Sequence, residues 1–193
     1  MTLPEQLRLL LTISRSESIA RRYLVTNGFD GALTMLGLTM GFALSGGVDL
    51  GVAIRACLAA AIALGVSGLS SAYISESAER RMELQELEGA MVTELDSSAH
   101  GQAARLVPLL IAMVNGLAPF VASLLIITPL WLVQHGIRLP LGPFKSSIAV
   151  GFGLVFLLGA WLGATSGLSW LWMGLRTVVI ALITGGLILL LGV

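Results

Sequence analysis

Charge is scarce in this sequence. Only 11% of its 193 residues are Asp, Glu, Lys or Arg, against about 25% in an ordinary soluble domain. The formal net charge is zero, so the whole-chain balance offers no electrostatic reason to expect a nucleic-acid partner. A single cysteine, Cys57, excludes an internal disulfide and any cysteine-cluster metal centre. It reads as a small apolar residue of the second helix. There is no nucleophile elbow, P-loop, zincin motif or GxGxxG in strand context, so nothing points to an enzyme. The Leu-rich N-terminus lacks a small-residue cleavage pattern and does not read as a signal peptide. Leu3, Leu7, Leu10 and Leu11 instead share one face, as in an interfacial amphipathic helix. No internal repeat is visible.

Apolar residues fill the space that charge leaves. They make up 56% of the chain, and the mean hydropathy is +0.92. Crossing a bilayer takes about 20 apolar residues, and five runs reach that length: 24–46, 52–74, 106–133, 147–165 and 171–193. The expected fold is an all-α integral membrane protein with five transmembrane helices. Residues 1–22 would form a cytoplasmic or interfacial segment, and 23–193 the membrane domain. Lys and Arg set the orientation. Arg8, Arg15, Arg21, Arg22, Arg80, Arg81, Arg105 and Arg176 fall on one side of the spans, and Arg55, Arg138 and Lys145 on the other. This asymmetry puts the N-terminus in the cytoplasm and the C-terminus outside or in a lumen. The membrane would be the cell membrane of a prokaryote or the vacuolar membrane of a eukaryote. Trp170 and Trp172 beside Arg176 fit the cytoplasmic interface, and Trp131 the opposite one.

The acids are unevenly placed. Of eleven, seven lie between Glu76 and Asp96. The run 76–88, ESAERRMELQELE, contains no Pro or Gly and is rich in strong helix formers. Helix two should therefore leave the bilayer and run to about Glu88. Gly89 is a plausible stop, and 97–101 a plausible turn into helix three. The region 75–102 becomes an acidic cytoplasmic extension and connection. Glu76, Glu79, Glu83 and Glu86 recur at helical spacing and share a face. Arg80 is four residues from Glu76, and Arg81 lies near the same stripe. Such a face is either a solvated, salt-bridged surface or a landing site for a hard divalent cation.

Asp30 is the exception among the acids, because it lies inside the first apolar run. A carboxylate there costs about 2.5–3.5 kcal/mol on insertion scales and needs a cation, a proton or a polar cavity. It lies about 9 Å from Leu24 at 1.5 Å per residue, below the interface but short of the midplane. Asn27 and Thr34 share its face at i−3 and i+4, and Met35 is close to it. Ser67 and Ser71 in helix two, and Asn115 in helix three, are further polar groups at membrane depth. Pro119 frees the Asn115 carbonyl. These groups either line a pathway or join helices. Gly37 and Gly41, and Gly159, Gly163 and Gly167, carry the spacing of close helix packing.

Four stretches resemble the vacuolar iron transporter family: RYLVTNGFDG at 22–31, SGLSSAY at 67–73 followed by Glu79, NGLAP at 115–119, and LRT at 175–177. The resemblance covers most of the chain from Arg21 onward. It implies a five-helix homodimer that exports Fe(II), and often Mn(II), from the cytosol in exchange for protons. The metal is cargo, and no permanently bound cofactor is implied. Asp30 and Glu79 carry over by position as ligands on the path. The family's helix-two methionine position falls on Gly68, and a glutamate position near Ala60. Met35 could supply the missing thioether. In the expected mechanism the Glu76, Glu79, Glu83 and Glu86 face gathers the cation, Asp30 binds it, and protonation of Asp30 releases it. The alternative is a non-transporting membrane scaffold or metal sensor built on the acidic extension.

Overall fold

A computed structural model describes residues 16–191. Among these residues there are five helices: α1 (Ser16–Ser45), α2 (Leu50–Met91), α3 (Ala99–Gln134), α4 (Pro143–Thr165) and α5 (Trp170–Leu191). Four of them, α2 to α5, are long and apolar enough to cross a membrane, and the chain is an integral membrane protein. α1 falls outside that set. Asn27 and Asp30 lower its hydropathy, and the glycines and threonines between apolar residues do the same. α1 also begins inside the segment 1–22 that the sequence sets apart, and runs unbroken past it. The N-terminal Leu face lies outside the described residues.

Contacts divide the chain into two compact units. Of the described residues, the first contains 16–24 and 65–117, and the second contains 25–64 and 118–191.

On α4 and α5 of the second unit the buried positions are mostly small residues, and α5 exposes its large apolar ones. α5 buries Gly174, Thr177, Ala181 and Gly185, while Leu182, Ile183, Leu189, Leu190 and Leu191 are exposed. α4 buries Ser147, Gly151, Val155, Gly159, Ala160 and Gly163. Lipid tails are as apolar as leucine, so helices in a bilayer associate through small residues that let their backbones approach. The contacts follow that rule. A Cβ at Gly159 would lie 2.5 Å from Thr177 Cγ2, and one at Gly163 would lie 2.8 Å from Met173 Cβ. Thr177 Oγ1 donates across to the Val155 carbonyl at 3.0 Å. Other hydroxyls turn back on their own helices. Thr39 donates to Met35 O at 2.7 Å, and Ser123 to Pro119 O at 2.7 Å, so no water is needed to satisfy them. A larger apolar core forms around Met35, Leu36, Ile54, Ile126, Ile127 and Leu130.

The first unit is built differently. α2 stays helical through the charged run and past Gly89 to Met91. The expected stop at Gly89 falls in the last turn, where glycine is tolerated. The chain reverses at Val92 (φ 51°), and Thr93 N–H donates to Glu88 O at 3.4 Å. That is the Schellman closure, with a β-branched residue in the left-handed position usually held by glycine. Ser98 then caps α3, its hydroxyl accepting from the amides of His100 (3.2 Å) and Gly101 (3.4 Å). The expected turn at 97–101 therefore covers only its first two residues. Ala103, Val107 and Ile111 form a small core against Ile19 and Tyr23.

Candidate functional site

The site begins at the Asp30–Gly31 pair in the second unit. Gly31 is fully enclosed by α3: a Cβ there would lie 2.6 Å from both Cα and O of Pro119. Only glycine permits this approach, because the neighbour is backbone and cannot swing aside. Successive helix positions are about 100° apart, so seating Gly31 on Pro119 turns Asp30 away from that contact. Asp30 is exposed in the single chain. Thr34 is exposed with it, and Asn27 is half-buried. The three residues expected on one face do share it. Gly37 and Gly41 continue that face at helical spacing. A Cβ at Gly37 would meet the Ile188 side chain at 3.7 Å, and one at Gly41 would meet nothing within 4 Å. α1 thus carries a polar and small-residue stripe.

Met35 is not part of that stripe. It is fully buried in the core with Leu36, Ile126 and Ile127. One residue of offset from Thr34 carries it onto the packed face, so it cannot supply a thioether beside Asp30.

The polar groups expected along a pathway in α2 and α3 belong to the first unit, and of these Asn115 joins the two helices. Asn115 is buried, and its Nδ2 donates to the Gly68 carbonyl at 2.6 Å. A Cβ at Gly68 would stand 2.9 Å from Asn115 O, and one at Gly116 would stand 2.6 Å from Gly65 O. The carbonyl freed by Pro119 therefore faces a glycine of the neighbouring helix. Gly68 thus sits at a backbone crossing with no room for a larger side chain. Ser67 and Ser71 are exposed, and Ser71 donates to its own helix at Gly68 O, 3.3 Å away.

The carboxylate stripe of α2 divides in two. Glu76 is buried, and so is Arg80. Arg80 lies 3.9 Å from Glu76 and donates to Glu83 at 2.6 Å. Tyr23 Oη donates to Glu76 Oε1 at 3.5 Å. A guanidinium thus occupies the centre of the face expected to gather cations. Glu79 and Glu86 are exposed. Among the described residues no three His, Cys, Asp or Glu side chains come together as a metal-holding group. Arg81 leaves the stripe altogether and lines a groove with Tyr73, Ser77 and Leu84. Sequence reasoning missed the burial of Arg80 and this groove. The signal for the groove was present, since residues 73, 77, 81 and 84 recur at steps of four, four and three.

No family model matches the chain, and no solved structure matches it. An uncharacterized protein of Methanocaldococcus jannaschii is 26% identical over 185 residues, covering 94% of this chain and 93% of the relative. The likeness therefore runs nearly the length of both chains.

Proposed function

We propose that the chain is a transporter that moves a divalent metal, Fe(II) or Mn(II), out of the cytosol in exchange for protons. Asp30 carries this reading: it is a carboxylate within a membrane helix, exposed on a face it shares with Asn27 and Thr34. Facing lipid, that face is unfavourable by a few kcal/mol. A second copy of the chain covering it would remove the penalty and set two Asp30 carboxylates near one path. This homodimer has α1 as the fifth crossing, the N-terminus and the α2 extension in the cytoplasm, and the C-terminus outside or in a lumen. The exposed Glu79 and Glu86 draw the cation in from solution, Asp30 binds it, and a proton taken up by Asp30 releases it. The resemblance to vacuolar iron transporters supports the same roles.

A second reading is favoured by one specific observation. Arg80 pairs with both Glu76 and Glu83 and offsets one of their two charges, which leaves a weaker cation face than a metal-gathering module needs. The protein would then be a membrane scaffold or sensor that carries no flux.

Reconstitution in liposomes separates the two. The transporter reading expects Fe(II) or Mn(II) flux that depends on a pH gradient and is lost in Asp30→Ala. A silent wild-type protein across both metals and both gradient directions leaves the scaffold reading.

A further inference from the structure

We propose that the groove between α2 and the start of α3, within the first unit, is a binding site for a phosphoryl anion. Tyr73, Ser77, Arg81 and Leu84 form one wall, Gly101, Ala104 and Arg105 the other, and Asp96 closes an end, around about 340 Å³. Gly101 makes the closure possible, because a Cβ there would lie 2.6 Å from Leu95 O.

Two guanidinium groups face this space against one carboxylate. Among the described residues Arg81 has no hydrogen bond or ion pair, and neither does the hydroxyl of Tyr73 or Ser77. Arg105 has one partner, Asp96 at 3.3 Å, and both side chains are about 70% exposed (69% and 71%). Exposed pairs of this kind are weak and exchange readily. The groove therefore offers two guanidinium forks and two hydroxyl donors, a set that matches the oxygens of a phosphate group. The α3 N-terminus adds little, because Ser98 already takes the amides of His100 and Gly101.

A neighbouring depression fixes the polarity. It is lined by Arg81, Gln85, Glu88, Glu94 and Asp96, and its carboxylates repel an anion from that end. The favoured position lies toward Ser77 and Tyr73, where the apolar run of α2 gives way to charge. Tyrosine is at home at such an interface. The phosphoryl group is either the headgroup of an anionic lipid or free phosphate.

The test uses the purified full chain in a non-ionic detergent. Native mass spectrometry counts bound dioleoylphosphatidylglycerol against dioleoylphosphatidylcholine, and a thermal-shift titration with inorganic phosphate runs alongside. Binding of the anionic lipid, or protection by phosphate, should weaken about tenfold in Arg81→Gln and in Arg105→Gln, as expected for loss of a charge-assisted hydrogen bond. Arg81→Lys should fall between, and Arg138→Gln, elsewhere in the chain, should leave binding unchanged. A response to the lipid alone assigns the headgroup; a response to phosphate assigns the soluble ion. Variants that stay folded and bind both probes as the wild type does, or a loss equal in Arg138→Gln, would overturn the proposal.

Discussion

The two units use opposite rules for polar groups. On α4 and α5 the second unit buries glycine, alanine and threonine, and α5 turns its leucines outward. Its one acid in an apolar run, Asp30, is exposed on a stripe of small and polar residues. The first unit buries a charged arginine, pairs it with two glutamates and closes its long helix with a cap. A buried ion pair is worthwhile only where both partners are held, and losing one partner is then costly. The contrast assigns packing to the first unit's central charges, whereas Asp30 makes no hydrogen bond or ion pair among the described residues. On the proposed reading, in which α1 crosses the membrane, an ionisable group that holds nothing together is the strongest functional candidate.

The largest expected effect breaks the first unit's rule. Arg80→Ala strands the buried Glu76 and should destabilise the first unit by about 3 kcal/mol. Hydrogen exchange should rise across 65–91 while 143–191 keeps its protection; equal loosening of both would dissolve the contrast. Next comes the second unit's rule of close backbone approach. Gly31→Ala forces a Cβ into Pro119 and should cost about 2 kcal/mol, seen as a lower thermal midpoint and faster exchange in 118–134. An unchanged midpoint would mean that α1 is not seated on Pro119. The smallest effect is a gain. Val92→Gly relieves a β-branched residue at φ 51° and should stabilise the end of α2 by about 0.5–1 kcal/mol. Slower exchange at 85–93 would show it, whereas a loss of protection there would argue against the left-handed cap.

How much of this was legible in the sequence depended on whether a feature is local. The helical course of 76–88 follows from the propensities of Glu, Arg, Gln and Leu, and the common face of Asn27, Asp30 and Thr34 follows from helical spacing alone. The α2 terminus was not legible, because a valine in the left-handed region contradicts its own preference and is selected by the Schellman closure. Glu76 could not be told from Glu79 by pattern, since its burial comes from Tyr23, 53 residues away. Met35 was placed near Asp30 because the pattern gives a helix its faces without saying which one the core takes. Sequence alone does not decide Asn115 between a path and a joint, because its partner, the Gly68 carbonyl, is 47 residues away. The fifth span is the least legible: α1 carries Asn27 and Asp30 and is not among the four helices long and apolar enough to cross a membrane.

The most direct measurement is metal flux through Asp30→Asn in liposomes, beside wild type and Glu79→Gln, with an imposed pH gradient. Asparagine keeps the size and a hydrogen-bonding oxygen but can carry neither the charge nor the exchangeable proton. The account expects Fe(II) or Mn(II) flux by the wild type to fall at least about tenfold in Asp30→Asn, and to fall only modestly in Glu79→Gln. Wild-type flux retained in full by Asp30→Asn, with the same dependence on the gradient, would contradict the role given to Asp30.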